Sequence, residues 1–405
     1  MRILFVAPYI PWPAADGGSM RVRALAAGLA ARHEVYLAAS GLTDNTNATT
    51  AAGADGVELR VAGSHPAAAL WRSVAPSLIK RQSLASTRYQ NPALSQLVDK
   101  LLRIHHFDLV QCVLFLTAPQ GAVAARRGVP WMLDAHSLEY RLAQQYAALP
   151  VKGARGLAYR RHQLREARLR RAEELAAYTS ADGVLVVSEE DAGALRSLNP
   201  ALSPVVIPNG VDIPSGAASD TDRSSGGIFV GKLSYRPNVD AVQWFANAIL
   251  PVIRRQVPDF TFCIVGSDAR PEIRQLGLLP GVTFVGRVDD PRIWVRQAAV
   301  SVAPLRAGSG SRLKILEAMA EGVPVVSTSI GCEGLAVVDG EDIAIADGLG
   351  KFAEKVLTLL RDPGMANKLG NAGRTVAARY SWSRLVPRLE ESYESMLCGI
   401  QTSGR

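Results

Sequence analysis

Short apolar runs alternate with amphipathic stretches along the chain. One set of runs precedes residue 208, at residues 3–7, 34–38, 57–61, 109–113, 131–134, 183–187 and 205–207. A second set follows, at residues 227–230, 260–265, 282–285, 300–303, 323–327 and 343–346. The intervening stretches have the helical period, and this alternation is typical of parallel sheets with crossover helices. The pattern therefore predicts an α/β fold of two doubly wound, Rossmann-like domains.

The boundary between these domains is expected near Pro208-Asn209-Gly210-Val211-Asp212. Residues 213–227 are rich in Ser, Asp, Gly and Ala and have no period, as in a linker. We therefore predict an N-terminal domain over 1–210 and a C-terminal domain over 211–381. An amphipathic helix over 382–397 is expected to pack back on the first domain. Open α/β sheets bind ligands at the carboxyl ends of their strands, so we expect the two domains to face each other across a cleft that holds the site.

The composition describes an ordinary globular protein: 405 residues, of which 48% are hydrophobic and 20% charged. No apolar run reaches the length of a membrane span, and Met1 leads directly into a strand without a basic leader. We therefore expect a cytoplasmic protein. The four cysteines are scattered, so neither a zinc site nor a disulfide framework is indicated, and we expect no metal ion and no cofactor.

The formal net charge of +8 is concentrated in one helical stretch of the first half. Its cations are Lys152, Arg155, Arg160, Arg161, Arg165, Arg168, Arg170 and Arg171. Two interpretations stay open. The stretch is a solvated helix whose arginines pair with Glu166, Glu173 and Glu174, or it contacts an anionic membrane surface or acceptor. Few aromatic residues accompany it, so nucleic acid is not an expected partner.

A glycine and serine cluster precedes a helical stretch that runs from residue 312 to 320. The glycines let a ligand approach the backbone, and the first helical turn presents unpaired N–H groups and a positive dipole end. Arg312 and Lys314 oppose that dipole unless an anion lies in front of them. The pattern predicts a diphosphate site formed by Gly308, Ser309, Gly310, Ser311, Arg312 and Lys314. It lacks the Gly-Lys-Ser/Thr sequence of a P-loop.

An alternative for this helix is a surface position with a Lys314–Glu317 pair three residues apart. The apolar strand pattern that follows directly, Gly322-Val323-Pro324-Val325-Val326-Ser327, favours the diphosphate site, because it places the helix inside an α/β unit. Asp289-Asp290 precedes Pro291 and is interpreted as a turn rather than half of a metal site.

Two further segments carry candidate ligand contacts. Gly17 and Gly18 lie between the first strand and a helix, and form a second potential anion site. Lys232, Arg236 and Asn238 follow another strand, from which the two cations could reach the same phosphates; ordinary solvated loop cations are the alternative.

His136 follows the strand at 131–134, which is where α/β enzymes place catalytic groups. The alternative is a histidine whose ring is satisfied by a backbone carbonyl, or one at the start of the next helix.

These motifs resemble those of the group 1 glycosyltransferases, which are retaining nucleotide-sugar transferases of GT-B fold. The resemblance spans the chain and rests on the glycine pair after the first strand, Asp134-Ala135-His136, Val187-Ser188-Glu189, Ile207-Pro208-Asn209-Gly210-Val211-Asp212, Phe229-Val230-Gly231 and Leu316-Glu317-Ala318-Met319-Ala320-Glu321-Gly322-Val323-Pro324-Val325-Val326. Tyr235-Arg236-Pro237-Asn238 and the segment from Gly308 to Lys314 resemble a bacterial subgroup tied to exopolysaccharide assembly.

The resemblance implies a metal-independent transfer of a hexose from a nucleotide diphosphate sugar to a glycan, lipid-linked or small-molecule acceptor, with retention of configuration. It implies that Glu317 accepts hydrogen bonds from the donor ribose and that His136 orients the donor sugar or acceptor. Ser309 stands where the family usually has a glutamate that contacts the donor sugar, and Lys232 where it often has arginine. This departure leaves a noncatalytic nucleotide-sugar-binding protein as an alternative; a sugar-nucleotide epimerase is another. The expected location is the cytoplasm or the inner face of the membrane.

Overall fold

A computed structural model of the chain divides into two compact units. The first comprises Met1–Pro208 and Leu385–Arg405, and the second comprises Asn209–Arg384. The structure describes residues 1–13, 16–41, 50–51, 54–63, 77, 79, 81–151, 153–214, 226–308 and 312–402. Residues 215–225 of the predicted linker and Lys152 of the basic stretch lie outside the described residues.

An eight-stranded sheet organises the first unit. Its strands are β1 (Arg2–Ala7), β2 (Glu34–Ser40), β3 (Thr50–Ala51), β4 (Glu58–Ala62), β5 (Leu109–Val113), β6 (Trp131–Ala135), β7 (Gly183–Val186) and β8 (Val205–Val206). Their spatial order is β3-β4-β2-β1-β5-β6-β7-β8, and only β3 runs antiparallel to its neighbour. The chain order reverses where β1 pairs with both β2 and β5, so the carboxyl ends of β1 and β5 flank the switch point of a doubly wound sheet.

The helices of the first unit cover both faces of this sheet. They are α1 (Gly17–Ala30), α2 (Leu84–Tyr89), α3 (Pro92–Ile104), α4 (Ala118–Arg126), α5 (Glu139–Ala148), α6 (Gly153–Ser180) and α7 (Glu189–Leu198), with 3-10 turns at Ala54–Gly56 and Phe115–Thr117. The central strands are buried along most of their length: residues 3–7 of β1 are all fully buried. This explains why they appear in the sequence as continuous apolar runs.

A six-stranded parallel sheet organises the second unit, in the order β11-β10-β9-β12-β13-β14. Its strands are β9 (Gly227–Val230), β10 (Phe262–Val265), β11 (Val282–Gly286), β12 (Val300–Ala303), β13 (Val325–Ser327) and β14 (Ala344–Ile345). Here the order reverses between β9 and β12. The loops after these two strands begin at Gly231 and Pro304, and both belong to the predicted site.

The helices of the second unit are α8 (Arg236–Trp244), α9 (Leu250–Arg254), α10 (Pro271–Gln275), α11 (Pro291–Gln297), α12 (Leu313–Ala320), α13 (Ser329–Cys332), α14 (Leu349–Arg361) and α15 (Pro363–Arg379). A π-helical turn, Phe245–Ile249, joins α8 to α9, and a 3-10 turn, Leu276–Leu278, follows α10.

The last helix, α16 (Trp382–Thr402), supplies core side chains to the first unit. Leu385, Leu389 and Tyr393 are fully buried, and the Tyr393 hydroxyl donates to the side-chain oxygen of Gln111 on β5. A β-carbon on Gly28 of α1 would lie 2.5 Å from a Val386 methyl group, so only glycine admits this helix so closely.

The predicted α/β class and the parallel strands are confirmed, with two differences. β3 was not predicted, because a two-residue antiparallel edge strand forms no apolar run. Helix α1 begins at Gly17, earlier than expected, so Gly17 and Gly18 lie in its first turn rather than in the preceding loop. No helix within the described ranges is both long enough and apolar enough to span a bilayer.

Candidate functional site

The loop after β9 brings a backbone segment against two polar side chains. A β-carbon on Gly231 would lie 2.8 Å from Nδ2 of Asn238 and 3.1 Å from Nζ of Lys314. Any side chain at residue 231 would therefore displace one of them. The glycine lets an amide from α8 and an ammonium group from α12 meet beside the carboxyl end of β9.

Asn238 joins the elements that carry the predicted cations. Its Nδ2 donates to the carbonyl oxygen of Lys232 at 2.9 Å, and its Oδ1 accepts from Nζ of Lys314 at 2.6 Å. The side chain is buried. We predicted Asn238 as a ligand contact; the structure shows both ends of its amide engaged within the protein, where they set the positions of the Lys232 loop and of Lys314.

Lys314 is half-buried, and no carboxylate in the described part of the chain forms an ion pair with it. Its Nζ lies 3.9 Å from the centre of the Phe229 ring, at cation–π distance, and bonds Asn238 as described. Among the described residues Lys314 and Glu317 form no ion pair, although the charge of each affects the pKa of the other. The amine of Lys314 is held in place by Asn238 and the Phe229 ring.

Arg312 and Gly308 flank the predicted glycine and serine loop. Arg312 is the N-cap residue of α12 rather than part of its first turn, and it is buried. Its Nη2 donates to the Ile330 carbonyl at 3.1 Å. Gly308 has a φ of +148°, and a β-carbon there would lie 2.8 Å from the same Nη2. Ser309, Gly310 and Ser311 lie outside the described residues.

Glu317 lies one turn beyond Lys314 on α12. Its carboxylate is half-buried and makes no hydrogen bond or ion pair to any residue that the structure describes. Glu321, on the same helix, pairs with Arg296 at 2.6 Å. The two carboxylates of this helix therefore differ: Glu321 is satisfied by Arg296, whereas Glu317 has no such partner among the described residues.

The remaining predicted cations, Lys232 and Arg236, lie just before α8 and at its first residue. Nζ of Lys232 is 3.8 Å from Oδ2 of Asp268, and both side chains are partly exposed. Arg236 is the first residue of α8 and is half-buried. The Nε atom of Arg236 is nevertheless buried.

Arg306 is a further cation of this region that we did not predict. It follows β12, forms a two-point ion pair with Asp240 of α8 at 2.6 and 2.9 Å, and lies 5.1 Å from the ring of Trp244. Asp240 and Trp244 are four residues apart on one face of α8, a spacing that could have indicated a common partner. Through Asn238 and Asp240, helix α8 thus holds side chains from the segments on both sides of the glycine and serine loop.

In the first unit, Gly17 and Gly18 begin α1, whose N-cap is Asp16. Oδ1 of Asp16 accepts from the Ser19 amide at 3.0 Å and from the Ser19 hydroxyl at 2.9 Å. Part of the expected anion site is therefore taken by the carboxylate of the protein itself. A β-carbon on Gly18 would lie 2.7 Å from the Tyr9 hydroxyl and 3.5 Å from Nδ1 of His136, so Gly18 leaves room for both.

His136 lies directly after β6 and is largely buried. Its Nε2 is 3.4 Å from Oδ2 of Asp134, whose carboxylate accepts from Nε of Arg21 at 3.0 and 3.2 Å and from Nη2 at 2.9 Å. Burial by itself would raise the pKa of Asp134, but the charges of Arg21 and His136 hold it well below its usual range. Helix α5 begins at Glu139 after an N-cap at Leu138, so His136 is not a helix cap.

Sequence reasoning also missed Tyr9. Its hydroxyl is buried and has no hydrogen-bond partner among the residues that the structure describes, and it faces the same space beside Gly18 as His136. Burial raises the pKa of Tyr9, so the hydroxyl remains a proton donor. The position of a tyrosine two residues after a buried strand, at the switch point of the sheet, was the available signal.

Two family profiles match this chain, one in each of its two parts. The family profile described as "Glycosyltransferase Family 4" matches residues 15–214, and the profile described as "Glycosyl transferases group 1" matches residues 226–362. The D-inositol 3-phosphate glycosyltransferase of Nocardiopsis dassonvillei is 29% identical over 320 residues, which cover 72% of this chain and 71% of that protein. The chain belongs to the group 1 glycosyltransferases.

Solved structures show that this glycosyltransferase has the GT-B fold. Sucrose-phosphate synthase from Thermosynechococcus elongatus matches with a TM-score of 0.76 at 19% identity, over 98% of this chain and all of that one. The Anabaena protein Alr3699/HepE in complex with UDP-glucose matches with a TM-score of 0.66 at 15% identity, over the same shares. The matched region spans about half the length of the phosphatidyl-myo-inositol mannosyltransferases that the chain also resembles, 54% for that of Mycobacterium leprae.

The electrostatics of α12 suit an anionic ligand of the transferase. Burial, followed by the nearby charge of Arg312, lowers the pKa of Lys314 well below its usual value, while Glu317 opposes the shift. Burial raises the pKa of Glu317 to about 7, against the effect of Lys314 and Arg292. A diphosphate beside Lys314 would favour its charged form, and ligand hydroxyl groups would satisfy the carboxylate of Glu317.

Proposed function

We propose that this glycosyltransferase moves a hexose from a nucleotide diphosphate sugar to a glycan, lipid-linked or small-molecule acceptor, without a metal ion and with retention of anomeric configuration. One observation carries the donor assignment: Glu317, a half-buried carboxylate with no hydrogen-bond or ion-pair partner among the described residues, lies one helical turn from Lys314, whose Nζ is fixed by Asn238 beside Gly231. A diphosphate and a ribose diol together have the charge and the donors that this pair lacks.

The proposed chemistry is electrostatic. The barrier is the departure of a nucleoside diphosphate from the anomeric carbon, and cations beside its phosphates stabilise the negative leaving oxygen. Lys314, Lys232 and Arg312 supply that charge in the proposal, and Glu317 accepts hydrogen bonds from the ribose hydroxyls. The UDP-glucose bound by Alr3699/HepE supports a nucleotide sugar as donor.

The first unit supplies the second half of the proposal. Tyr9 and His136 offer a hydroxyl and an imidazole beside Gly18, and these groups suit hydroxyls of a sugar. The Asp134 carboxylate lies 3.4 Å from Nε2 of the imidazole. The name of the Nocardiopsis relative, a D-inositol 3-phosphate glycosyltransferase, supports a polyol or glycan acceptor. A role in exopolysaccharide assembly at the inner face of the membrane remains part of the proposal.

The donor site is tested by calorimetry with nucleoside diphosphates and by thermal shift with a panel of nucleotide sugars, because a ligand of the native state raises stability. We expect Lys314→Met and Glu317→Ala to weaken nucleoside diphosphate affinity at least about tenfold each, the loss of one charged hydrogen bond. Glu321→Gln is the matched control on the same helix and should change affinity less than about twofold. Equal affinities for all of these variants would disprove the site.

The reaction is tested with the donor that the panel identifies. Transfer to an acceptor in the presence of EDTA, with the donor's anomeric configuration in the product, supports the proposal. Release of free sugar or an epimer without any acceptor would establish the epimerase alternative. Tight donor binding without turnover, for every acceptor of a glycan and polyol panel, would establish the noncatalytic alternative that Ser309 suggests.

A further inference from the structure

Helix α6 has an inner face on which its charges are neutralised. Arg165 bonds the Glu166 carboxylate at 3.0 Å, and Arg170 bonds Glu139 of α5 at the same distance. Glu173 and Glu174 accept from backbone amides and hydroxyls of other helices rather than from arginines. The three glutamates of the helix therefore all bond groups on this face, and none of them pairs with the other arginines of the helix.

The outer face of α6 carries unneutralised arginines and exposed leucines. Arg160, Arg161, Arg168 and Arg171 are exposed, and none forms an ion pair or hydrogen bond with the described part of the chain. Leu157 and Leu164 are 51% and 44% exposed on the same face. The steps 157, 160 or 161, 164, 168 and 171 are three or four residues each, so the six side chains form one stripe, which we call the arginine–leucine stripe.

We propose that the arginine–leucine stripe docks this protein on the surface of an anionic lipid bilayer. Guanidinium groups pair with lipid phosphates, and the two leucines enter the boundary between headgroups and acyl chains. A folded helix that presents cations alone would suit any polyanion. The leucines between the arginines distinguish a lipid surface from nucleic acid, because the stripe contains no aromatic ring to stack on a base.

This inference concerns location and does not depend on the proposed donor chemistry. The stripe lies entirely in the first unit, whereas Lys314 and Glu317 lie in the second. Nucleoside diphosphate affinity should therefore be the same in every stripe variant. Measuring it alongside membrane binding separates a failure of the docking proposal from a failure of the proposed function.

The test is co-sedimentation of the full chain with vesicles of phosphatidylcholine alone or of equal parts phosphatidylcholine and phosphatidylglycerol. We expect the protein to bind the anionic vesicles and not the vesicles of phosphatidylcholine alone. This binding should be lost when the salt concentration is raised from about 0.05 M to about 0.5 M. Substituting Arg160→Gln, Arg161→Gln and Arg168→Gln together should lower the partition coefficient about a hundredfold, since each cation near such a surface contributes about fivefold. Leu157→Ser with Leu164→Ser should lower it about tenfold.

Two matched controls accompany these variants. Arg126→Gln, Arg379→Gln and Arg384→Gln together remove the same net charge from exposed positions elsewhere, and Leu278→Ser removes a leucine that is 86% exposed. Both should bind anionic vesicles as the wild type does. If the triple arginine control lost as much vesicle binding as the triple arginine variant of the stripe, the effect would be one of net charge alone, and the proposal would be overturned. Two results together would instead indicate a general polyanion site. They are unchanged vesicle binding by the leucine variant, and binding of single-stranded RNA that is lost in the arginine variant.

Discussion

Glu317 is a partly buried carboxyl group that no other described residue hydrogen-bonds or pairs with. Desolvation of a carboxylate costs free energy unless hydrogen bonds or opposite charges offset it. Here burial outweighs the effect of Lys314 and Arg292, which is why the pKa of Glu317 rises to about 7. A site prepared for a ligand is expected to carry such a cost in the absence of that ligand.

Glu317→Gln should therefore stabilise the ligand-free protein while weakening nucleoside diphosphate binding. The unfolded carboxyl group ionises near its ordinary pKa of 4.5, before the folded one does, so stability falls as pH rises from 4.5 to about 7. We expect the variant to gain about 1–2 kcal/mol above pH 7, a value reduced for partial exposure, and to lose that gain below the ordinary pKa. Urea unfolding at both ends of this range measures it. A gain independent of pH would contradict this account.

Arg21 and Asp134 form a fully buried ion pair behind His136. Removing one partner of such a pair leaves an uncompensated charge, so Arg21→Met should cost roughly 3–5 kcal/mol of unfolding free energy. The control is Arg23→Met, two residues along the same helix, which breaks an exposed pair with Asp55 and should cost less than about 1 kcal/mol. Chemical denaturation of both variants measures their unfolding free energies. Similar losses of unfolding free energy would show that the cost does not depend on burial of the ion pair.

At the scale of elements, helix α6 caps two other helices with its carboxylates. Glu166 accepts from the Leu84 amide at 2.9 Å, and Glu173 accepts from the Ser83 amide and from the hydroxyls of Ser83 and Ser86, all at the start of α2. Glu174 accepts from the Tyr140 amide of α5 at 3.0 Å. The acidic residues of this basic helix therefore fix the starts of its neighbours.

Glu173→Ala should loosen α2 selectively. Three hydrogen bonds to Glu173 disappear, and a helix of six residues has little stability of its own. We expect amide hydrogen exchange over Leu84–Tyr89 to become at least about tenfold faster, the loss of about 1.4 kcal/mol of local stability. Glu391→Ala, an exposed glutamate on α16, is the control. Faster exchange throughout the first unit would indicate global destabilisation instead.

At the scale of the whole molecule, the two units differ in how the chain completes them. The second is formed by one continuous segment, Asn209–Arg384, with its own buried core. The first needs the end of the chain, because Leu385, Leu389 and Tyr393 of α16 are fully buried in it. Without that helix, Gln111 of β5 loses its tyrosine partner and apolar surface is exposed.

Separate expression of the units should reproduce this difference. Residues 209–384 alone should fold cooperatively and bind a nucleoside diphosphate, since Gly231, Asn238, Lys314 and Glu317 all lie within them. Residues 1–208 alone should aggregate or remain partly folded, and addition of a peptide of residues 385–405 should restore folding. Circular dichroism and calorimetry follow both fragments. A stable 1–208 fragment would show that α16 is not required for the core of the first unit.

Much of this architecture could be predicted because its signals are local. Apolar runs identified the parallel strands, since strands covered on both faces are apolar throughout. β3 escaped because it is short and lies at the edge of its sheet. Lys314 and Glu317 were predicted as site residues from their helix, yet sequence allowed them to pair with each other. Lys314 instead bonds Asn238, which lies 76 residues earlier.

The sequence by itself determined the fold class, the order of the elements, the family resemblance and the residue types of the candidate donor site. All of these depend on period, spacing and short motifs, which are properties of neighbouring residues. Only the tertiary structure decided which polar groups are satisfied: Asn238 and Glu321 within the protein, Arg306 by Asp240, and Glu317 and Tyr9 by no other described residue. Partnership of that kind depends on which distant segments pack together, and on how deeply they exclude water.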